Sequence, residues 1–150
     1  MAGRIFQIVS VPVSAFWVIF GVALFCFALA LFFAYMALSS RNVIVEVRDQ
    51  GLKIKGGLYG RFIQKDSIIK ENIEILDLHR HPEYRPIRRT NGLGLPGFKL
   101  GWFKLKNGEK ALLFLTDVSH VVYFPTRDGY SVLISPAQPH ELVRSVEDIW

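Results

Sequence analysis

Gly92, Gly94 and Gly97, within the stretch RRTNGLGLPGFKLGWF at residues 88–103, spell G-x-G-x-x-G. Dinucleotide-binding proteins use that spacing to cradle a pyrophosphate, and it works only where a strand leads in and a helix leads out. The helix N-terminus then supplies the N–H groups and the dipole that hold the anion. Here the following residues are FKLGWFKLK, an alternating and aromatic run, and then Asn107 and Gly108, a hairpin signal. Pro96 also removes one backbone donor. Asp117 stands twenty residues after Gly97, at the distance of a ribose-binding acid, yet it closes an apolar strand pattern rather than a crossover unit. Both context requirements fail, so no cofactor is expected. Gly92, Gly94, Pro96 and Gly97 are expected to form a loop whose glycines permit positive φ and close backbone approach.

Charge is the second chemical signal. Between Arg80 and Lys106 the cations are Arg80, Arg85, Arg88, Arg89, Lys99, Lys104 and Lys106 against the single acid Glu83, a net of +6 where the whole chain carries +5. The chain is basic because of this one segment. Such a stretch serves nucleic acid in some proteins, but beside the membrane anchor described below its expected counter-charge is anionic lipid or an acidic protein partner, with no nucleic acid. Arg80, Arg85, Arg88, Arg89 and Lys99 are the expected contact residues. The competing reading is a solvated basic loop with no partner.

Other chemistry is thin. His79 and His81 flank Arg80 and would share a face in a strand, but a metal site needs three or four ligands and no cysteine or carboxylate cluster adjoins them, so no metal is expected. His120 and His140 are isolated. No nucleophile elbow, Ser-His-Asp pattern or carboxylate pair is recognisable, and the chain is not expected to be an enzyme.

Two kinds of element position these residues. From Val11 to Leu38 there are 28 residues without a charge, more than the roughly 20 that span a bilayer. As helix they reach ~42 Å at ~1.5 Å per residue, against a hydrocarbon core of ~30 Å. A signal peptide has a shorter apolar region behind a clearly basic start, whereas only Arg4 precedes this run. A retained transmembrane helix over about residues 12–38 is therefore expected, within an N-terminal unit 1–40. Pro12 suits a helix start, and Trp17 and Tyr35 lie toward opposite ends. Arg41, Arg48, Lys53 and Lys55 after the helix outweigh Arg4 before it, placing residues 41–150 in the cytoplasm. Four connecting residues span at most about 14 Å, which holds that domain at the bilayer surface. Cys26 is the only cysteine, so no intramolecular disulfide forms.

The remainder reads as short strands between turn signals. NVIVEVRD, LKIK, LYGRFIQ, NIEILDL, FKLGWFKLK, KALLFLT, HVVYF and YSVLIS make eight candidates, with hairpins expected at Asn107-Gly108 and Asp128-Gly129. KALLFL is apolar on both faces and is expected to be central. Trp102, Phe103, Phe114, Tyr123 and Phe124 are expected in the core. PHELVRSVEDIW then changes period: Leu142, Val143, Val146, Ile149 and Trp150 form the apolar stripe of one helix, expected as a lid on an open barrel end.

The run GWFKLKNGEKALLFLTDVSHVVYFPTRDGYSVLISP, preceded by RTNGLGLPGF, resembles the bacterial PH-like domain proteins, small membrane-anchored relatives in architecture of pleckstrin homology domains. The likeness covers about residues 41–150. It implies a mainly β fold, a partly open barrel of about seven antiparallel strands capped by the helix at 139–150. One candidate is then surplus, and 73–78 is expected to be irregular. Together with the apolar helix and the basic segment, it gives the expectation of a single-pass protein of the bacterial inner membrane whose domain binds non-catalytically at the membrane surface. The alternative is an assembly subunit that joins a protein partner or a second copy through barrel edges or the glycine loop, with no lipid ligand. Phosphoinositide-binding members use a roomy connection between strands one and two. Here that connection is only Asp49, Gln50 and Gly51, so the site is not carried over to Lys53 and Lys55.

Overall fold

A computed structural model describes residues 12–39 and 43–150. Contacts divide the chain into two compact units, Met1–Arg41 and Asn42–Trp150. In the first, α1 (Val13–Ser39) begins where the Pro12 carbonyl accepts the Ala15 N–H at 2.9 Å. Its stretch Val13–Tyr35 is long and apolar enough to cross a membrane, and Phe, Val and Leu side chains stand exposed all round it. Arg4 and Arg41, on which the expected orientation partly rests, lie outside the described residues.

The second unit holds β1 (Ile44–Arg48), β2 (Gly51–Lys55), β3 (Arg61–Gln64), β4 (Glu74–Leu76), β5 (Pro86–Leu95), β6 (Phe98–Leu105), β7 (Lys110–Leu115), β8 (Val121–Pro125), β9 (Ser131–Ile134) and α2 (Pro139–Ile149). They form a sheet β1-β2-β3 and a sheet β4-β8-β9-β7-β6-β5, neither closed. This corrects the expected strand inventory in three ways. Among the described residues there are nine strands rather than about seven. Residues 74–76 are not irregular, since Glu74, Ile75 and Leu76 pair with Tyr123, Val122 and Val121. And not every pair is antiparallel: the β8–β9 hairpin slots β9 between β8 and β7, so β9 runs parallel to β7 with Ala111 opposite Ser131. Asp117 follows β7, the second arm of the β6–β7 hairpin, and opens the connection to β8, which is not a neighbour of β7.

Side chains alternate across a strand, and the six-stranded sheet buries both of its faces. Leu112 and Phe114 of β7, Val122 and Phe124 of β8, and Val132 and Ile134 of β9 point to one side, where Leu52, Ile54 and Ile63 of the three-stranded sheet and Val146 of α2 cover them. Leu113, Leu115, Val121, Tyr123 and Leu133 point to the other. That is why KALLFL carries no polar residue after Lys110, as expected of a central strand. α2 lies on the first face through Val146, Leu142, Val143 and Trp150, and the Trp150 Nε1 donates to the Arg48 carbonyl at 2.7 Å. Ile149, expected on the apolar stripe, is 41 % exposed.

The second face is covered by the connection 77–85. β4 and β5 occupy opposite edges of the sheet, so the chain between them must cross it, and it lays Leu78 and Tyr84 on Leu105, Leu113 and their neighbours. The strap is tied at both ends: the Leu78 N–H donates to the Val118 carbonyl at 2.8 Å, and the Asn107 N–H to the Glu83 carbonyl at 2.9 Å. The Tyr84 and Tyr123 rings meet with centroids 4.8 Å apart. Phe103, Phe114, Tyr123 and Phe124 are buried as expected, whereas Trp102 is half-buried under the Lys110 ammonium, whose Nζ lies 4.5 Å from the ring centroid.

Candidate functional site

The glycine-rich segment is not a loop. Gly92 and Gly94, expected in one, lie within β5, and only Pro96 and Gly97 turn the chain into β6. Composition misleads here because Gly92 serves a close approach between strands rather than a turn. Gly92 is the cross-strand partner of Gly101. A Cβ added at Gly101 would lie 2.6 Å from the Asn91 carbonyl oxygen and 2.7 Å from the Gly92 Cα, at a φ of 108° that L residues avoid. Gly97 takes a φ of 73° in the turn.

The register then sorts β5 by face. Arg89 stands opposite Phe103 and Gly94 opposite Lys99, while Leu93 packs on the first core and the Asn91 Oδ1 accepts the Tyr59 hydroxyl at 3.0 Å. Arg88, Arg89 and Lys99 line a groove of about 470 Å³. Its walls include Ile87, Leu95 and Pro96, with Gly94 and Phe103 between them. Ile87 and Leu95 are 63 % and 60 % exposed. All three cations lack a carboxylate within 4.0 Å among the described residues. The one acid of the basic segment, Glu83, is engaged elsewhere: its own backbone N–H, and then the His81 ring 3.2 Å away, hold its carboxyl below the usual range.

Arg80 and Arg85, expected in the same contact region, do not line the groove. Arg80 sits on the strap with its side chain 86 % exposed, 3.8 Å from Asp77. Arg85 pins the strap to itself, its Nε donating to the Leu78 carbonyl at 2.5 Å and its Nη2 to the His79 carbonyl at 3.0 Å. We expect Arg85→Ala to lower stability by about 1–2 kcal/mol, the loss of hydrogen bonds from a charged donor, without changing anion binding. A denaturant titration beside a vesicle assay separates the two effects.

The other sequence candidates are dispersed. His79 lies in a turn rather than a strand, and among the described residues no group of three or more His, Cys, Asp or Glu side chains converges. Asp117 accepts the Ser119 N–H at 2.9 Å and faces His120 at 3.2 Å, and these two contacts hold its carboxyl low. Glu109 accepts the Tyr123 hydroxyl at 3.1 Å and the Ser131 hydroxyl at 3.3 Å, joining β8 and β9 at one end of the sheet. Burial, and then the Glu109 charge, push the Tyr123 phenol above its ordinary value. Along the β1–β2 hairpin Glu46 pairs with both Lys55 and Arg48, so those two cations are compensated where those of the groove are not.

The apolar residues of the groove escape a reading of the sequence by charge. Ile87 and Leu95 are each followed or preceded by proline at the ends of a cationic strand, and the only signal for them is PIRR and LPGF as apolar residues flanking the charge.

A mainly β domain of two unclosed sheets, capped by a C-terminal helix and preceded by a candidate membrane helix, is a PH-like architecture. The sequence model of the family described as bacterial PH domain matches residues 43–149, and the chain belongs to that family. No curated protein and no solved structure matches it. PH domains are generally non-catalytic binding modules, and one joined to a candidate transmembrane helix fits a membrane-associated binding module.

Proposed function

We propose that the protein is a single-pass protein of the bacterial inner membrane whose cytoplasmic domain, over residues 41–150, binds an anionic partner at the membrane surface without catalysis. One observation carries the reading: Arg88, Arg89 and Lys99 meet on a single groove where, among the described residues, no carboxylate pairs with them. The tether of a few residues and the cations Arg41, Arg48, Lys53 and Lys55 that follow the helix support a cytoplasmic face close to anionic lipid. The domain 41–150 should sediment with vesicles of anionic lipid and not with neutral ones. Binding should weaken steeply as the screening length falls from ~30 Å at 0.01 M salt to ~8 Å at 0.15 M. A folded domain that ignores both vesicles at low salt would leave an acidic protein as the counter-charge.

A second reading has its own observation. β5 ends the six-stranded sheet with one edge unpaired over ten residues, and such edges join chains. An assembly subunit would form concentration-dependent oligomers that added lipid does not change.

A further inference from the structure

Gly94 differs from the glycines around it. A Cβ there would meet only the Phe103 ring, at 3.5 and 3.6 Å, and the Arg89 Cδ at 4.0 Å, all ordinary contacts, and its φ is not positive. Neither backbone conformation nor strand approach requires glycine at this position. Glycine inside a strand weakens it, and marks a place where a ligand comes close when no bulge or bend explains it. The two register shifts of β5 lie earlier, between Pro86 and Arg88 and between Arg89 and Asn91.

What the missing side chain leaves is space between two cations. Arg89 runs past Gly94 with its Cδ at contact distance, and Lys99 is the cross-strand partner of Gly94. A guanidinium fork and an ammonium around one small opening match the oxygens of a phosphate. The rim supplies the second half of the argument. Ile87 and Leu95 are more than half exposed on the same groove. A free phosphate in water gives such side chains nothing, whereas the boundary between headgroups and acyl chains buries them. An added peptide strand is disfavoured, because the register shifts and the adjacent Arg88 and Arg89 spoil the edge as a template.

We propose that the groove over Gly94 is a headgroup site for an anionic phospholipid, with the phosphate held between Arg89 and Lys99 and with Ile87 and Leu95 seated in the membrane interface. This rests on the membrane-surface reading above and names its ligand and its site.

The test uses the full chain in neutral detergent micelles, titrated with short-chain phosphatidylglycerol, short-chain phosphatidylcholine or inorganic phosphate. Amide exchange of residues 86–99 is the readout. Phosphatidylglycerol should protect these amides, and phosphatidylcholine should not. Gly94→Leu, which fills the opening, should raise the apparent Kd about tenfold, near 1.4 kcal/mol, and Gly94→Ala should raise it less. Arg89→Gln and Lys99→Gln should cost about fivefold each. If Gly94→Leu loses protection throughout the domain, the two glutamine variants decide the matter alone. Wild-type affinity in Gly94→Leu with the fold intact would overturn the site yet leave charge-driven membrane binding standing. Equal protection by inorganic phosphate would overturn the lipid as ligand, and equal protection by phosphatidylcholine would overturn the role of the cations. No protection by any of the three would remove both the site and the lipid form of the proposed function.

Discussion

Gly101→Ala is expected to pull the β5–β6 hairpin apart, while Gly94→Ala, on the opposite strand two residues from its partner Gly92, leaves it paired. At Gly101 the new methyl group meets backbone first, the Asn91 oxygen at 2.6 Å and the Gly92 Cα at 2.7 Å, with the Tyr59 ring at 3.1 Å, and neither backbone atom can move without shifting the strand that carries it. Positive φ in a non-glycine residue costs about 1–3 kcal/mol by itself, and the overlap adds to that. A total of about 3 kcal/mol or more is a large part of the ~5–15 kcal/mol that holds a domain together, and would lower Tm by roughly 10 °C or more. At Gly94 the same methyl finds ordinary contacts, so a change within about 0.5 kcal/mol is expected. Thermal melts of both variants, with amide exchange over 86–105, check the contrast. Equal losses would mean that the hairpin tolerates no side chain anywhere, and Gly94 would lose its special status.

The same pair of glycines explains what the sequence conceals. Strands such as Lys110–Leu115 and Val121–Pro125 are legible because burial writes itself into consecutive apolar residues, and Asn107-Gly108 and Asp128-Gly129 mark their turns. β5 is not legible, because its identity as a strand comes from the approach of β6 and not from its own residues: Gly92 and Gly94 read as punctuation. The parallel β7–β9 pair is hidden for a related reason, since insertion of a hairpin beside an earlier strand is a non-local event with no local signal. Of the expected contact residues, Arg88, Arg89 and Lys99 reach one groove because they lie on the two arms of one hairpin. Arg80 and Arg85 share the same run of charge in the sequence but belong to the strap, the connection that crosses the sheet between β4 and β5. A charge window sees distance along the chain, whereas a site is made by register.

The strap itself yields the other large effect. Leu78→Ala is expected to destabilise the domain by about 2–5 kcal/mol, the usual cost of emptying a buried leucine position, although the surrounding segment HRHPEYR looks like an exposed polar connection. Leu78 is 2 % exposed and rests among Leu105, Leu113 and Val121, each with no accessible surface. Among the described residues no second sheet covers this side, and the crossing chain, with Val118 beside it, separates those side chains from water. The cavity cannot be filled by collapse, because the strap is fixed at Val118 on one side and at Asn107 on the other. Its backbone hydrogen bonds must therefore break before it can settle. The loss should appear first as faster amide exchange in residues 77–85, then in β7 and β9, with a Tm fall of roughly 10 °C or more. Ile149→Ala, at a position 41 % exposed on α2, serves as the control and should stay within about 0.5 kcal/mol. A loss below about 1 kcal/mol for Leu78→Ala would mean that the strap rests on the sheet without sealing it. The groove also depends on this cover, since Phe103 packs in the same cluster as Leu78 and lines the opening beside Gly94. Leu78→Ala, unlike Arg85→Ala, which leaves the apolar side chains under the strap in place, should therefore weaken anion binding at a residue that no anion touches.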